Sequence, residues 1–334
     1  MKPQGLRFFS VAAIVASLLL TGCERPPIET KQVGYRGTGM VLVNNPRAPK
    51  TQITIPAAQP PAAPGGPRAS AIYQNVQVLG DLGVAEFTRT MLAITAWVAP
   101  EQGCNYCHSP QNLASDDLYT KVVSRRMLQM TRDLNANWSA HIGETGVTCY
   151  TCHVGNNVPE YIWFASNEVP AMAAYAGNRA GQNAPGKSVG LSSLPLDPFS
   201  RYLTNDQLGD ISVVSASWAP SGNVGSIQDT EATYGLMFHL SEALGVNCNF
   251  CHNSRAFASW EQSTPQRVTA WHGLRMVAQI NNDYLTPLGP TYPENRLGPL
   301  GDAPKANCAT CHQGANKPLG GVRMVKDYPA LQSN

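Results

Sequence analysis

The chain has 334 residues, 43% of them hydrophobic and only 14% charged, with 24 basic and 22 acidic side chains. This composition can bury a sizeable core and excludes an intrinsically disordered chain, and the length suggests about two domains. No apolar run reaches the ~18 residues of a membrane span, which excludes a polytopic membrane protein, and no basic block marks a nucleic-acid surface.

At the N-terminus, Lys2 and Arg7 flank the start of an apolar stretch from Phe8 to Leu20, and residues 1–22 read as a signal peptide. Leu20-Thr21-Gly22-Cys23 resembles the bacterial lipobox, so cleavage is expected before Cys23 with acylation of its thiol. Several alkyl chains anchor stably where one binds marginally. Removing residues 1–22 takes away Lys2 and Arg7 and no acidic residue, leaving 22 side chains of each sign. The mature polypeptide is therefore expected to be neutral, lipid-anchored and outside the cytoplasm.

Residues 23–80 are predicted to form an extended arm. Asn44 to Pro67 carries seven prolines, which suit polyproline or loop structure and not a helix interior. Such an arm serves either as a tether or as a strap over a partner. A first unit over 81–160 follows, with helices predicted for Asp81–Ala99 and Leu118–Trp138 from their apolar stripes. Residues 161–225, rich in Ala, Gly, Ser and Pro, form a connecting segment. The second unit, 226–315, is predicted to hold a helix over Asp229–Leu244, capped by Asp229 or Thr230 and ended by Gly245, and another over Gln266–Ile280 behind Pro265. Residues 316–334 form a tail without a strong pattern.

Each unit carries two copies of Cys-x-x-Cys-His: Cys104–His108 and Cys149–His153 in the first, Cys248–His252 and Cys308–His312 in the second. The repeat implies two similar, pseudo-twofold-related halves. Eight of the nine cysteines fall in this one format, and the ninth is Cys23. Cys-x-x-C-H is the c-type haem attachment motif, in which Cys104, Cys107, Cys149, Cys152, Cys248, Cys251, Cys308 and Cys311 would form thioethers. Tetrahedral zinc sites use paired Cys-x-x-Cys units but do not require a histidine directly after each pair. Disulfides or thiol redox chemistry are the other readings for an exported chain.

The iron ligands on one side are then His108, His153, His252 and His312. Only His141, His239 and His272 remain for the other side, so four bis-histidine haems are impossible. Methionine is the usual alternative and raises the reduction potential. Met91, Met127, Met130 and Met237 lie on helices upstream of the first three boxes, and Met276, His272 or His141 are open for the fourth. His239, two residues from Met237 and on another face, reads as a satisfied surface or core histidine.

The lipobox, the four boxes and their uneven spacing resemble the tetrahaem cytochrome c subunit of purple-bacterial photosynthetic reaction centres. So do the strings Phe87-Thr-Arg-Thr-Met91, Arg125-Arg-Met127-Leu, Gly146-Val-Thr-Cys149, Gly245-Val-Asn-Cys248, Ser263-Thr-Pro-Gln-Arg267 and Thr310-Cys-His312-Gln-Gly. The resemblance covers about residues 23–330. It implies a mainly α fold with a helix beside each haem and long loops between. It also implies four haems c: three Met/His (Met91 with His108, Met127 with His153, Met237 with His252) and one His/His (His141 with His312). Met130, Met276 and His272 then revert to packing, and Arg267 matches an arginine near a haem. His272 stands where the family more often has a bulky apolar residue.

The function implied is electron transfer on the periplasmic face of the photosynthetic membrane. A soluble cytochrome c or high-potential iron–sulfur protein would be the donor, and the photo-oxidised bacteriochlorophyll special pair of the membrane-embedded reaction centre the acceptor. No acid, base or nucleophile is needed, so no enzymatic activity is expected. A multihaem reductase would need an iron with an open side, and a general electron conduit would lack the photosynthetic partner. Docking of the carrier has two readings, acidic spots such as Asp116-Asp117, Glu242 and Glu261, or an apolar patch.

Overall fold

The computed structural model describes residues 28–34, 36, 40–47, 53–166, 189, 194–195, 197–204, 211 and 226–332. The signal segment, Cys23 and most of the connecting segment lie outside them. The described chain is mainly helical, with two short two-stranded sheets. Strands β1 (Glu29–Gln32) and β2 (Val41–Asn44) pair antiparallel. Helix α1 spans Val84–Val98, α2 Tyr119–Asn137 and α3 Cys149–His153. Strand β3 (Ile162–Trp163) follows, then α4 (Ile227–Leu244) and α5 (Pro265–Gln279). Strand β4 (Lys305–Ala306) and α6 (Cys308–His312) complete the set. Antiparallel pairing of β3 with β4 ties the start of the connecting segment to the residues just before the fourth box. Among the described residues, no helix is long and apolar enough to cross a membrane.

Both long helices of the first unit are shorter than predicted. Gly83, in extended backbone, starts α1 three residues after Asp81, and α2 begins at Tyr119 instead of Leu118. The start of α4 also differs. Ser226 is its N-cap, accepting from the Asp229 N–H, while the Asp229 carboxylate accepts from the Ser226 N–H at 2.8 Å. Asp229 is thus the third helical residue of a reciprocal capping pair and not the cap itself. Gly245 does end α4, at φ 63°, and any side chain there would meet the Gly314 backbone that crosses it. Pro265 opens α5 behind Thr264.

Two apolar cores result. One joins both units and the connecting segment: Leu134, Val147, Trp163, Tyr202, Leu236, Leu274 and Ile280 pack together. The other takes in the C-terminal tail, which has no strong sequence pattern. Leu319, Met324, Val325, Tyr328 and Leu331 pack against Ala93 and Trp97 of α1 and against Tyr150. Short 3-10 turns carry those residues inward, a geometry with neither helical nor strand periodicity, so a pattern search passes over them.

The arm straps the protein itself. Asn247, directly before the third box, accepts from the Val43 N–H and donates to the Val41 carbonyl, holding β2 there. Further on, the Tyr150 hydroxyl donates to the Thr54 carbonyl (2.6 Å) and the Gln59 N–H donates to the Tyr328 hydroxyl (2.9 Å). Buried Arg89 clamps the junction. Its guanidinium donates to the carbonyls of Gln59, Pro60 and Asp327, pairs with Glu86 at 3.0 Å and lies over the Tyr328 ring. Arg89→Ala would strand three carbonyls, and it is expected to lower unfolding free energy by about 3 kcal/mol. Urea denaturation of the full chain checks this, and a loss below ~1 kcal/mol would mean the strap holds without the clamp.

Candidate functional site

The four boxes adopt two conformations, and these alternate along the chain. Boxes one and three begin as 3-10 turns, Gly103–Tyr106 and Cys248–Phe250. Boxes two and four are the short helices α3 and α6, each opened by a reciprocal pair, Thr148 with Thr151 and Asn307 with Thr310. The residue after each of these two helices is left-handed, Val154 at φ 46° and Gln313 at φ 48°. A β-branched residue is costly in that region, so the surrounding contacts hold it there.

The box histidines follow the same alternation. Nδ1 of His108 donates to the Leu113 carbonyl and Nδ1 of His252 to that of Phe257, each five residues on. Nδ1 of His153 donates to Asn156 and that of His312 to Ala315, each three residues on. His141 makes the equivalent bond across the two units, Nδ1 to the Thr269 carbonyl at 2.9 Å. A carbonyl only accepts, so the proton sits on Nδ1 and the lone pair on Nε2 in all five rings. That is the tautomer in which imidazole ligates a metal, held by the hydrogen bond its other nitrogen makes.

Four of these histidines, His108, His141, His153 and His312, line one cavity of about 1030 Å³. Helix α1 contributes Met91, Ile94, Thr95 and Val98, and α2 contributes Val123, Met127, Met130, Thr131 and Leu134, each at helical spacing. Cys104, Cys107, Cys149, Cys152, Cys308 and Cys311 also reach the wall, as do His108, His141, His153 and His312. His141 and His312 face each other with ring centroids 5.9 Å apart. Residues from distant parts of the chain thus meet. An apolar cavity of this size with such donors fits a large flat apolar group bearing a metal.

Burial sets the protonation of these groups. It pushes the thiols of Cys149 and Cys308 up to about 12 and that of Cys251 to about 11. It also lowers the imidazoles of His141, His153 and His252, and that of His312 to about 4. All are therefore neutral at pH 7, with Nε2 available.

The wall of this cavity does not include Met237, Cys248, Cys251 or His252. Met237 packs beside the first core, and the third box lies against α5 through Thr264, whose hydroxyl donates to the Phe250 carbonyl. Arg267 stands beside this box: it opposes protonation of His252, stacks on Trp260 at 4.0 Å and donates to Ser259 and Ser263. His239 is buried edge-on against Phe199, a packed histidine. Met276 is buried in the core and Met130 packs beside it. His272 stacks on Trp271 and lies near enough to His141 to oppose its protonation.

Cys152 and Cys311 meet where α3 packs on α6. Their sulfurs form a disulfide that joins α3 to α6. A sulfur bonded to another sulfur has no S–H to add to a vinyl group. The pairing follows from the packing of the two box helices on each other, a contact that box spacing does not show.

The acidic spot at Asp116-Asp117 is also altered. Asp116 is gripped by both Arg125 terminal nitrogens, at 2.8 and 3.1 Å, with Lys121 3.5 Å away. The Arg125 hydrogen bonds hold its carboxyl down at about 2. The folded value lies below the ordinary 3.8, so this contribution to stability is complete above pH 3.8 and is lost as pH falls towards 2. Asp116→Asn is expected to be less stable than the unchanged chain at pH 7, with the gap closing across that window. Urea midpoints at several pH values check it, and a pH-independent gap would mean the effect is not the charge.

A family model described as photosynthetic reaction centre cytochrome C subunit matches residues 24–332. The chain is 53% identical over 324 residues to the photosynthetic reaction center cytochrome c subunit of Rubrivivax gelatinosus, covering 96% of this chain and 88% of that protein. Identity to the protein of the same description from Thermochromatium tepidum is 50% over 337 residues, 99% of this chain and 82% of that one. That from Roseobacter denitrificans is 45% identical over 344 residues, 98% and 90% respectively.

Proposed function

The chain belongs to the family of photosynthetic reaction-centre cytochrome c subunits, and from that premise we propose that it carries four covalent haems c and feeds electrons through them to the photo-oxidised special pair. Membership makes it an electron-transfer component associated with the reaction centre and the photosynthetic membrane, and not an enzyme. The observation that carries the finer reading is the shared tautomer of five histidines, four of which line one apolar cavity.

When bound, haem iron supplies a one-electron ferric/ferrous couple. The chain's own residues set its terms. His108, His153, His252 and His312 would each ligate from Nε2, their rings aimed by the carbonyls at Nδ1. Met91, Met127 and Met237 would each supply a second ligand to one of three haems and favour the ferrous form. His141 would close the fourth against His312, giving the lowest potential. All eight box cysteines would form the thioethers, Cys152 and Cys311 once their disulfide is reduced. Arg267 adds positive charge beside the third box, which disfavours ferric iron. The matched conformations of boxes one and three, and of two and four, support two pseudo-twofold-related halves. Lipidation at Cys23 would hold the protein on the periplasmic face.

For the electron source we propose a soluble cytochrome c or a high-potential iron–sulfur protein. With Asp116 neutralised by Arg125, an acidic lure at this spot is weakened. Leu113, exposed beside the first box, favours an apolar contact.

Flash-induced absorbance on membranes containing this chain tests the function. At a poise where the Met-ligated haems start reduced, haem should be oxidised in step with recovery of the special pair. Recovery without a haem signal would remove the reaction-centre role and leave the conduit reading.

A further inference from the structure

Two asparagines hold the second and fourth boxes in the same way. The Asn135 side chain, near the end of α2, accepts from the Val147 N–H at 2.8 Å and donates to the Val147 carbonyl at 2.9 Å. The Asn281 side chain, just past the end of α5, accepts from the Ala306 N–H at 2.8 Å and donates to the Ala306 carbonyl at 3.0 Å. Val147 and Ala306 each stand two residues before the first cysteine of a box. Each amide gives its other hydrogen to a third segment, Asn135 to the Leu331 carbonyl of the tail and Asn281 to the carbonyl of Leu203.

One amide thus satisfies both backbone groups of one residue, as a neighbouring strand would. Such a grip fixes position and not only proximity, because donor and acceptor must fit the same residue together. Asn281 is fully buried, where losing any of its bonds leaves a polar group unmet. Asp133 and Gln279, each two residues before its asparagine, hydrogen-bond to each other at 3.3 Å and tie the two grips together. The other ends of the same helices hold the other two boxes. Thr120, at the start of α2, donates to the Tyr106 carbonyl of box one, and Thr264, directly before α5, donates to the Phe250 carbonyl of box three. Each helix therefore braces the box before it through a threonine and the box after it through an asparagine.

We propose that Asn135 and Asn281 are positioning residues that set how far apart the two axial ligands of the second and fourth haems stand. This rests on the ligand set given under the proposed function. Asn135 lies eight residues along the chain from Met127, and Val147 lies six before His153. The grip joins the helix that carries one ligand to the box that carries the other. Asn281 lies eight residues from Gly273, against which the His141 ring sits, and Ala306 lies six before His312. The same two spacings recur, although one second ligand is carried by the helix and the other is held against it through the Thr269 carbonyl. Ligand and box are thereby kept at one separation in both oxidation states of the iron.

Carbon monoxide binding to the reduced, haem-loaded subunit tests this, together with a redox titration. Ferrous haem with two protein ligands does not take up carbon monoxide, and haem that has lost one does. The unchanged chain should bind none. Asn135→Ala should bind it at one haem and move one of the three higher steps of the titration, leaving the other steps in place. Asn281→Ala should move the lowest step alone. Asn281→Ser, which keeps a hydroxyl in the buried site, takes its place if the alanine variant is not recovered folded. A lower urea midpoint with no carbon monoxide uptake and four unmoved steps would overturn the proposal, making the asparagines purely structural. Four steps moving together would overturn it too. Met127→Leu separates the proposal from the ligand set beneath it. If Met127→Leu binds carbon monoxide at one haem and Asn135→Ala binds none, positioning by Asn135 fails and the ligand set stands. If Met127→Leu binds none, Met127 is not a ligand and both fall.

Discussion

On the proposed ligand set, His141→Met is expected to raise the lowest of the four haem potentials by on the order of 0.1 V, a modest part of the ~0.8 V that axial ligands span. Imidazole donates more strongly to ferric iron than a thioether does, so the exchange favours the ferrous form. At ~59 mV per tenfold for one electron, the ferrous-to-ferric ratio at a fixed poise would rise by well over tenfold. The change should be confined to one centre, because the ring that faces His141 is that of His312, 5.9 Å away between centroids. The bond to the Thr269 carbonyl would be lost, at a cost of about 1 kcal/mol. A redox titration of the purified subunit resolves the four centres. An unshifted lowest potential would show that His141 is not a ligand and that the fourth iron draws on another side chain. Met127→His is the mirror experiment, lowering one of the three higher potentials while the haem stays attached. An unchanged titration there would remove Met127 from the ligand set.

Much of this organisation is legible in the sequence because it is written in short local patterns. The four boxes need only five adjacent residues each, and α1, α2, α4 and α5 betray themselves by apolar stripes and by Gly245 and Pro265. Helix starts were less legible. Asp229 is as good a cap as Ser226 in isolation, and only the reciprocal bonds between them decide which one caps. Contacts between distant segments were the least legible. Nothing in the residues 316–334 signals that Leu331 and Tyr328 pack against Trp97. Nothing in the proline-rich arm signals that the carbonyls of Gln59 and Pro60 satisfy Arg89. The meeting of His141 with His312 was implied by resemblance to a family and not by spacing. In the structure α5 positions His141 through Thr269, 128 residues further along the chain. The Cys152–Cys311 contact had no signal at all, since it depends on how two five-residue helices pack.

Gly273→Ala is expected to do the opposite of what a glycine-to-alanine change does in an ordinary helix. In a helix interior, alanine is favoured over glycine by about 1 kcal/mol. Gly273 sits within α5, buried, one helical turn beyond Thr269. A Cβ built there would overlap the His141 ring, lying 2.7 Å from Nδ1 and closer still to Cε1. Real Cβ atoms do not approach so near, so the ring must move, and its bond from Nδ1 to the Thr269 carbonyl moves with it. That bond fixes the tautomer that leaves Nε2 for the iron. One methyl group should therefore lower stability despite the gain in helix propensity, and it should disturb one centre selectively. In the haem-loaded chain, low-temperature electron paramagnetic resonance should show loss of the low-spin bis-histidine signal, with the three Met/His signals kept. Unfolding by urea should give a midpoint below that of the unchanged chain. If the bis-histidine signal survives and stability rises by the ordinary propensity gain, the His141 ring does not rest on Gly273. The placement of α5 against the fourth centre would then have to be given up. If all four signals change together, the helix as a whole has shifted, and the contact is structural without being specific to one haem.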